Sequence, residues 1–321
     1  MAERKLNVLV VDFSTGRSSA LIEAYANHPE VGTVSVTSRN DIAQDQFGID
    51  KIRVFPHIRP DSPVDIKKLV DSERVDLVDI AQDVSIRAGV ADTLRQAKVL
   101  TVGPDAQPGK LEWDKVHGRR FARTHNIPVP AFVAYGSPLE ANAFLSMLLP
   151  DKPTVIKASG LAEGKGVDVT DNVAQAKSAV RRIANLPDGA GIQILIEQRV
   201  GGPSAREFSG YYMGSSQLGR QRFTPLGFAR DYKRVFDGDK GPNTGGMGAV
   251  LFPGLINEGL QQRIYKEIVS PTAEGLMYDK YPYRGVLYLG GMYDPDEDRL
   301  WLIEYNARWG DPEAEVVVPH L

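Results

Sequence analysis

Apolar residues come in two rhythms along this chain. Short continuous runs at residues 6–12, 31–37, 52–55, 77–80 and 99–102 predict buried strands, and the stretches 20–27, 66–72 and 85–96 between them carry helical spacing. Strand, small-residue turn and helix in alternation is the pattern of an open, doubly wound parallel sheet, so residues 1–104 read as one α/β domain. Ligands of such sheets lie beyond the carboxyl ends of the strands. That singles out the turn holding Gly16 and Arg17 after the first strand, and Asp83 after the fourth.

A helical stretch at 111–124 carries Lys115 and stops at the double-proline connector Asn126-Ile-Pro-Val-Pro130. A second alternation follows, with strands at 131–135, 154–158, 167–169 and 193–196 and helices at 138–149 and 173–184. Residues 105–196 therefore read as a linker helix and a small lobe. From there the pattern turns antiparallel, with strand-like runs at 207–213, 221–225 and 285–293 and a helix over 255–278 bent near Pro271. Residues 197–321 read as a second, larger lobe.

Composition narrows the function. With no cysteine and only 5 histidines, thiolate metal sites, disulfides and a Cys nucleophile are excluded, and a multi-histidine metal centre has little to draw on. A net charge of -3 without a sustained basic run argues against nucleic acid as partner. The apolar run at the N-terminus is too short for a secretion signal, and no segment approaches membrane-spanning length. The expectation is a cytoplasmic protein acting on small molecules.

Three stretches carry chemistry. The strand over 154–158 contains Lys157 and runs into a loop with Gly160, Gly164 and Gly166 around Lys165. Glycines let consecutive backbone N–H groups close around an anion, and lysines add charge there. The spacing is not that of a P-loop, so this would be a flap hung on a strand; a plain glycine-rich hairpin tip fits the same residues. In Arg299-Leu-Trp-Leu-Ile-Glu-Tyr-Asn-Ala-Arg308, strand alternation puts Glu304, Asn306 and Arg308 on one face and Trp301, Ile303, Tyr305 and Ala307 on the other. A carboxylate, an amide oxygen and a guanidinium in a row suit a magnesium ion bridging phosphates, or a solvated polar face. The loop Gly241-Pro-Asn-Thr-Gly-Gly-Met-Gly248, after the charged Arg230-Asp-Tyr-Lys-Arg234, offers backbone donors to a small substrate, or is a surface loop.

Taken in order, these strings resemble the ATP-grasp ligases and, more narrowly, the phosphoribosylamine–glycine ligase family. The most specific are Pro242-Asn-Thr-Gly-Gly-Met-Gly248 and Gly310-Asp-Pro-Glu313, and the likeness is dense from Lys152 onward. It implies an N-terminal open parallel-sheet domain followed by a two-lobed α+β ATP-grasp domain. It also implies a ligase that uses ATP and Mg²⁺ (or Mn²⁺) to join a carboxylate such as glycine to an amine such as phosphoribosylamine through an acyl phosphate, in purine synthesis. By position, Lys115, Lys157, Gly160, Gly164, Lys165 and Gly166 would meet ATP phosphates, Glu197, Gln198 and Val200 the adenine, and Glu207 the ribose. Glu304 and Asn306 would hold the metal. Arg308, with Lys157, would be catalytic. Arg308, Asn243, Thr244, Gly245, Gly246, Met247, Asp231, Lys233, Asp311 and Glu313 would hold the carboxylate substrate or its acyl phosphate, and Gly16, Arg17 and Asp83 the amine.

The N-terminal third departs from that family. Ser14-Thr-Gly-Arg-Ser-Ser19 stands where Gly-Gly-Arg-Glu-His is expected, Ala81-Gln-Asp-Val-Ser85 where Gly-Pro-Glu-Ala-Pro is expected, and Trp113 and Asp114 where glycine and serine are expected. The chain ends at Pro319-His-Leu321, where the family runs on into a further domain. The amine therefore stays open: a ligase using another amine, or a nucleotide-binding protein without turnover, remains compatible. A dinucleotide oxidoreductase is disfavoured, because Gly16 stands alone without Gly-x-Gly-x-x-Gly spacing.

Overall fold

The computed structural model describes residues 4–38, 50–162, 165–238, 240–251, 254 and 256–321, with backbone only at 242 and 243. Gly164 and the start of the helix expected at 255 lie outside these residues.

Continuous apolar runs need burial on both faces, and the first five strands obtain it. β1 (Leu6–Phe13), β2 (Val31–Ser38), β3 (Ile52–Pro56), β4 (Leu77–Ile80) and β5 (Leu100–Val102) form one sheet in the order β3-β2-β1-β4-β5, every pair parallel. The order reverses between β1 and β4, which opens a crevice at their carboxyl ends. Helix Pro63–Ser72 starts earlier than the apolar spacing suggests, because Ser62 caps it and Pro63 presets its first turn. The helix expected over 85–96 is two, Asp83–Arg87 and Val90–Gln96, parted by Gly89 at φ 77°. The helix after β1 begins at Gly16, so Gly16 and Arg17 belong to its first turn, not to a loop.

The helix expected over 111–124 is also two, Ala106–Trp113 and Lys115–Thr124. Asp114 leaves helical geometry and accepts a hydrogen bond from His117 N at 2.9 Å, so it ends one helix and caps the next.

The small lobe is a four-stranded sheet of β6 (Phe132–Tyr135), β7 (Thr154–Ala158), β8 (Val167–Thr170) and β9 (Ile194–Gln198) in the order β6-β9-β7-β8, all antiparallel. Helices Pro138–Leu145 and Val173–Ala184 give it a core of its own around Leu145, Ile156, Val180 and Ile194. The large lobe contains β10 (Arg206–Gln217), β11 (Arg220–Asp231), β12 (Arg234–Phe236), β13 (Lys240–Asn243), β14 (Ala249–Leu251), β15 (Gly285–Asp294) and β16 (Arg299–Asn306). Five of these form the sheet β14-β11-β10-β15-β16, and β12 and β13 make a ribbon within the stretch read as a loop. The long helix bends as expected, through a π-helical segment Tyr265–Val269 just before Pro271, which cannot donate to the preceding turn.

One core runs from the parallel sheet into the large lobe, joining Leu9, Ile66 and Val78 to Phe208, Ile268 and Leu302. The small lobe has a core separate from it, while the linker joins the shared core through Leu111, Phe121 and Ile127.

Candidate functional site

The site is built on an irregularity in β16. Gly290 of β15 lies opposite Glu304 while Gly291 lies opposite Leu302, so β16 carries an extra residue at Ile303. The bulge resets the alternation: Leu300 and Leu302 share the core with Tyr305 and Ala307, and the single face expected for Trp301, Ile303 and Tyr305 does not exist. Glu304 and Asn306 still share a face, as expected. Gly290 has no Cβ because one would stand 2.9 Å from Cγ of Glu304.

A bulge leaves carbonyls outside the ladder, and two cations collect them. Arg119 Nη1 donates to Leu302 O at 3.2 Å and Nη2 to Ile303 O at 2.5 Å, while Lys157 Nζ donates to the same Ile303 O at 3.3 Å. Lys157 also pairs with Glu197 Oε2 at 2.7 Å, diagonally across β7 and β9, and Arg119 Nε donates to the other oxygen of Glu197. All three side chains are buried. Burial alone would lift the Glu197 carboxyl, but Lys157 and Arg119 hold it below its usual range. Burial and the nearby Arg119 hold the Lys157 ammonium below its usual value against the pull of Glu197. The side chain of Glu197 thus turns into the protein, a correction to its expected place at an adenine edge. Gln198 N is taken by Ala131 O, the Gln198 side chain is exposed and Val200 is half-buried.

Glu304 is the electrostatic centre. Burial raises its carboxyl, and Lys233, Lys157, Lys115 and Arg308 together bring it below the ordinary value. These cations come from four segments. Lys115 opens its helix, whose first N–H groups bind the base of the glycine loop: Lys115 N donates to Ser159 O at 2.8 Å and Val116 N to Ser159 Oγ at 3.2 Å. Ser159 Oγ donates to Asp114 at 2.8 Å. Lys115, Lys157, Arg119, Glu304 and Tyr305 line one small cleft between the lobes.

The flap residues divide. Gly160 is required for packing, since a Cβ there would stand 2.8 Å from Ala190 Cα, and its N–H is taken by Ala190 O at 3.0 Å. Its expected part in phosphate binding is corrected accordingly. Lys165 is exposed, and Arg182 donates to its carbonyl at 2.7 Å, tying the loop to helix Val173–Ala184. Gly166 is buried, with its carbonyl accepting from Ala158 N at 2.8 Å.

Across the cleft, Lys233 lies 3.3 Å from Asp231 and 3.9 Å from the exposed Glu207. Burial lowers the Lys233 ammonium, but Asp231, Glu304 and Glu207 outweigh it and lift it above its usual value. The glycine loop folds back on this strand: Thr244 N and Oγ1 both donate to Lys233 O, and Met247 N donates to Tyr232 O. Gly246, at φ 139°, lies so near Pro312 that a Cβ would approach its ring to 2.4 Å. Gly245 and Gly248 face open space, and Met247 is exposed. Arg308 uses two of its nitrogens: Nη2 meets Glu112 at 2.8 Å and Nη1 donates to Trp309 O at 3.0 Å, while Nε has no partner among the described residues. Asn306 Nδ2 and Trp309 Nε1 are likewise buried without partners among the described residues. Glu313 is a buried brace that accepts from Ser209 and Tyr288, which corrects its expected contact with substrate.

The N-terminal turn reaches this region. Arg17 is buried, donating to Trp309 O at 3.0 Å and lying 3.9 Å from Asp311. A Cβ at Gly16 would be 1.8 Å from a carboxylate oxygen of Glu315. Asp83 acts electrostatically on both Arg17 and Arg308. Glu112, Asp114, Arg119 and Ser159 were missed by sequence reasoning. Only Asp114 had a local signal, as an N-capping residue type just before Lys115.

Comparison with known proteins agrees with this layout. The model of the phosphoribosylglycinamide synthetase N domain matches residues 6–112 and that of the phosphoribosylglycinamide synthetase ATP-grasp (A) domain residues 113–314. A phosphoribosylamine–glycine ligase of Caulobacter vibrioides is 33% identical over 99% of this chain and 70% of its own length. That of Chlorobaculum tepidum is 33% identical over 98% of this chain and 72% of its own. The crystal structure of phosphoribosylamine–glycine ligase from Thermotoga maritima superposes with a TM-score of 0.75 at 28% identity, covering 98% of this chain and 72% of that one. A biotin carboxylase complex from Campylobacter jejuni shares the fold at 14% identity, with a TM-score of 0.69.

Proposed function

The chain belongs to the phosphoribosylglycinamide synthetase family, and from that premise we propose that it is a cytoplasmic, ATP- and Mg²⁺-dependent ligase joining glycine to phosphoribosylamine in purine synthesis. One observation carries the reading: Lys115, Lys157, Lys233 and Arg308 converge on the single carboxylate Glu304. Lys157, Arg308 and Lys233 each face a second acid as well (Glu197, Glu112 and Asp231), so what the cluster offers a polyphosphate is a set of cationic donors gathered at one point, with Lys115 beside them. In this reading residues 1–104 present the amine, 105–196 are the linker and small lobe, with β9 carrying that lobe on to Gln198, and the large lobe takes the rest up to 321. No helix among the described residues is long and apolar enough to cross a membrane, which is consistent with soluble substrates.

Among the described residues no three His, Asp or Glu side chains gather as a metal cage. Glu304 and Asn306 offer two hard oxygen donors on one face, which fits Mg²⁺, an ion that draws its other ligands from phosphates and water. Bound there, Mg²⁺ would neutralise charge on the phosphates. Lys115 and Lys157 grip phosphoryl oxygens, and the backbone after Gln198 with Glu207 takes the nucleoside. Arg308, held by Glu112, orients the substrate carboxylate for attack on the γ-phosphorus. The bond from the γ-phosphorus to the β–γ bridging oxygen breaks, ADP leaves, and an acyl phosphate forms. The amine then attacks the acyl carbon, inorganic phosphate departs and the nitrogen loses a proton. The Gly245–Gly248 backbone and the flap exclude water from the acyl phosphate.

The test is ADP release with ATP, glycine, phosphoribosylamine and Mg²⁺, with the amide identified by mass. Product only in the complete mixture supports the reading; folded protein with no ADP release under any of these conditions contradicts it. A second reading, the same chemistry with another amine, is favoured by the N-terminal turn, where Arg17 is bound internally and Glu315 crowds Gly16. Turnover with a different amine and none with phosphoribosylamine would select it.

A further inference from the structure

We infer that Arg119 is a positioning residue for ATP: through Glu197 and the bulged carbonyls of β16 it fixes the ammonium of Lys157 at the phosphate site and joins the two lobes there. The inference rests on the proposed contact between Lys157 and ATP.

A lysine ammonium has three donors and a long, mobile stem. In this structure two of the three are committed, one to Glu197 Oε2 at 2.7 Å and one to Ile303 O at 3.3 Å. The third is left for a phosphoryl oxygen. Both anchors are themselves held by Arg119, which donates from Nε to the other oxygen of Glu197 and from Nη2 to the same Ile303 O. Its remaining contact, Nη1 to Leu302 O at 3.2 Å, fastens the neighbouring peptide. One guanidinium therefore fixes both anchors of the lysine by its rigid fork.

The geography gives this more than local meaning. Lys157 and Glu197 belong to small-lobe strands, Arg119 to the linker helix, and Leu302 and Ile303 to the large lobe. The small lobe has a separate apolar core, so a buried polar junction is what registers it against the strand bearing Glu304. A charge network with every member paired specifies a geometry in a way that apolar contact does not. Without Arg119, Glu197 would be shared with no other cation than Lys157 and would draw the ammonium from the cleft.

The experiment is a double-mutant cycle on the full chain, reading KM for ATP, KM for the carboxylate, and kcat. Arg119→Met is expected to raise KM for ATP at least tenfold with the carboxylate KM changed less than threefold, and Arg119→Lys to recover part of the loss. In a Lys157→Met background, Arg119→Met should add less than twofold, because the group it positions is gone. Should Arg119→Met fail to fold, Glu197→Gln, which keeps the shape of the anchor, takes its place in the cycle with the same expectation. Fully additive losses, or equal rises in both KM values, would overturn the inference. An unchanged KM for ATP in Lys157→Met alone would instead overturn the proposed ATP contact on which it rests.

Discussion

Two carboxylates, one in each half of the molecule, behave oppositely. Among the described residues the carboxylate of Asp79 on β4 meets the hydroxyl of Tyr25, at 2.8 Å, and burial pushes it up to about 6. Glu304 is surrounded by Lys233, Lys157, Lys115 and Arg308 and falls below its ordinary value in spite of burial. Desolvation raises both, so the difference lies in cations: the linker helix, the small lobe and the large lobe all bring charge to Glu304, and nothing comparable acts on Asp79. The same contrast separates the two ends of the site. Around Glu304, buried donors such as Arg308 Nε and Asn306 Nδ2 have no partner among the described residues. At the N-terminal turn, Arg17 is already engaged by Trp309 O, Thr15 and Asp311. Unpartnered buried donors are costly unless a ligand completes them, so Arg308 keeps a donor for a ligand while Arg17 is engaged within the protein.

Removing Glu304 should break the contrast most severely. Glu304→Ala is expected to lower kcat for ADP release about 10³-fold, while the protein still melts cooperatively; loss of folding would mark the carboxylate as structural. Arg308→Lys comes next, with a loss of about 10²-fold, because a point charge cannot span Glu112 and Trp309 O as the guanidinium does. Steady-state assays check both.

At the other end, Gly16→Ala should act on the amine alone. The added methyl must displace the carboxylate of Glu315, and a rise in KM for the amine on the order of tenfold is expected, with KM for ATP unchanged. A change in the ATP value instead would mean that the turn is coupled to the phosphate site.

Asp79→Asn should leave turnover intact and alter stability with pH. Asp79 takes up a proton more readily folded than unfolded, so stability is greatest below about pH 4 and falls as pH rises through about 6. The displacement from 3.8 to about 6 corresponds to about 3 kcal/mol. The variant should therefore be more stable than the parent above pH 6 by up to that amount, with the gap closing toward pH 4; thermal melts across this range measure it.

What could be read from the sequence was whatever is local. The strands over 154–158 and 77–80 emerged with their observed bounds because apolar runs and turn residues frame them. Lys157 and Glu304 stood out as charges within such strands. Arg119 and Glu112 did not, since each is an ordinary charge on a helix whose partner lies far along the chain: 78 residues away at Glu197, and 195 at Ala307 N. The break at Asp114 was passed over because helical spacing continues across it, although a capping residue type just before Lys115 was a local sign of it. The bulge at Ile303 leaves no mark in alternation, yet it decides which carbonyls Arg119 and Lys157 can hold.

Calorimetric titration with a non-hydrolysable ATP analogue and Mg²⁺ tests the central claim most directly. One saturable site, lost without the divalent ion and weakened at least tenfold by Lys157→Met, is the predicted result. A folded protein that gives no binding heat at several temperatures, or whose binding ignores both the metal and Lys157, would contradict the account.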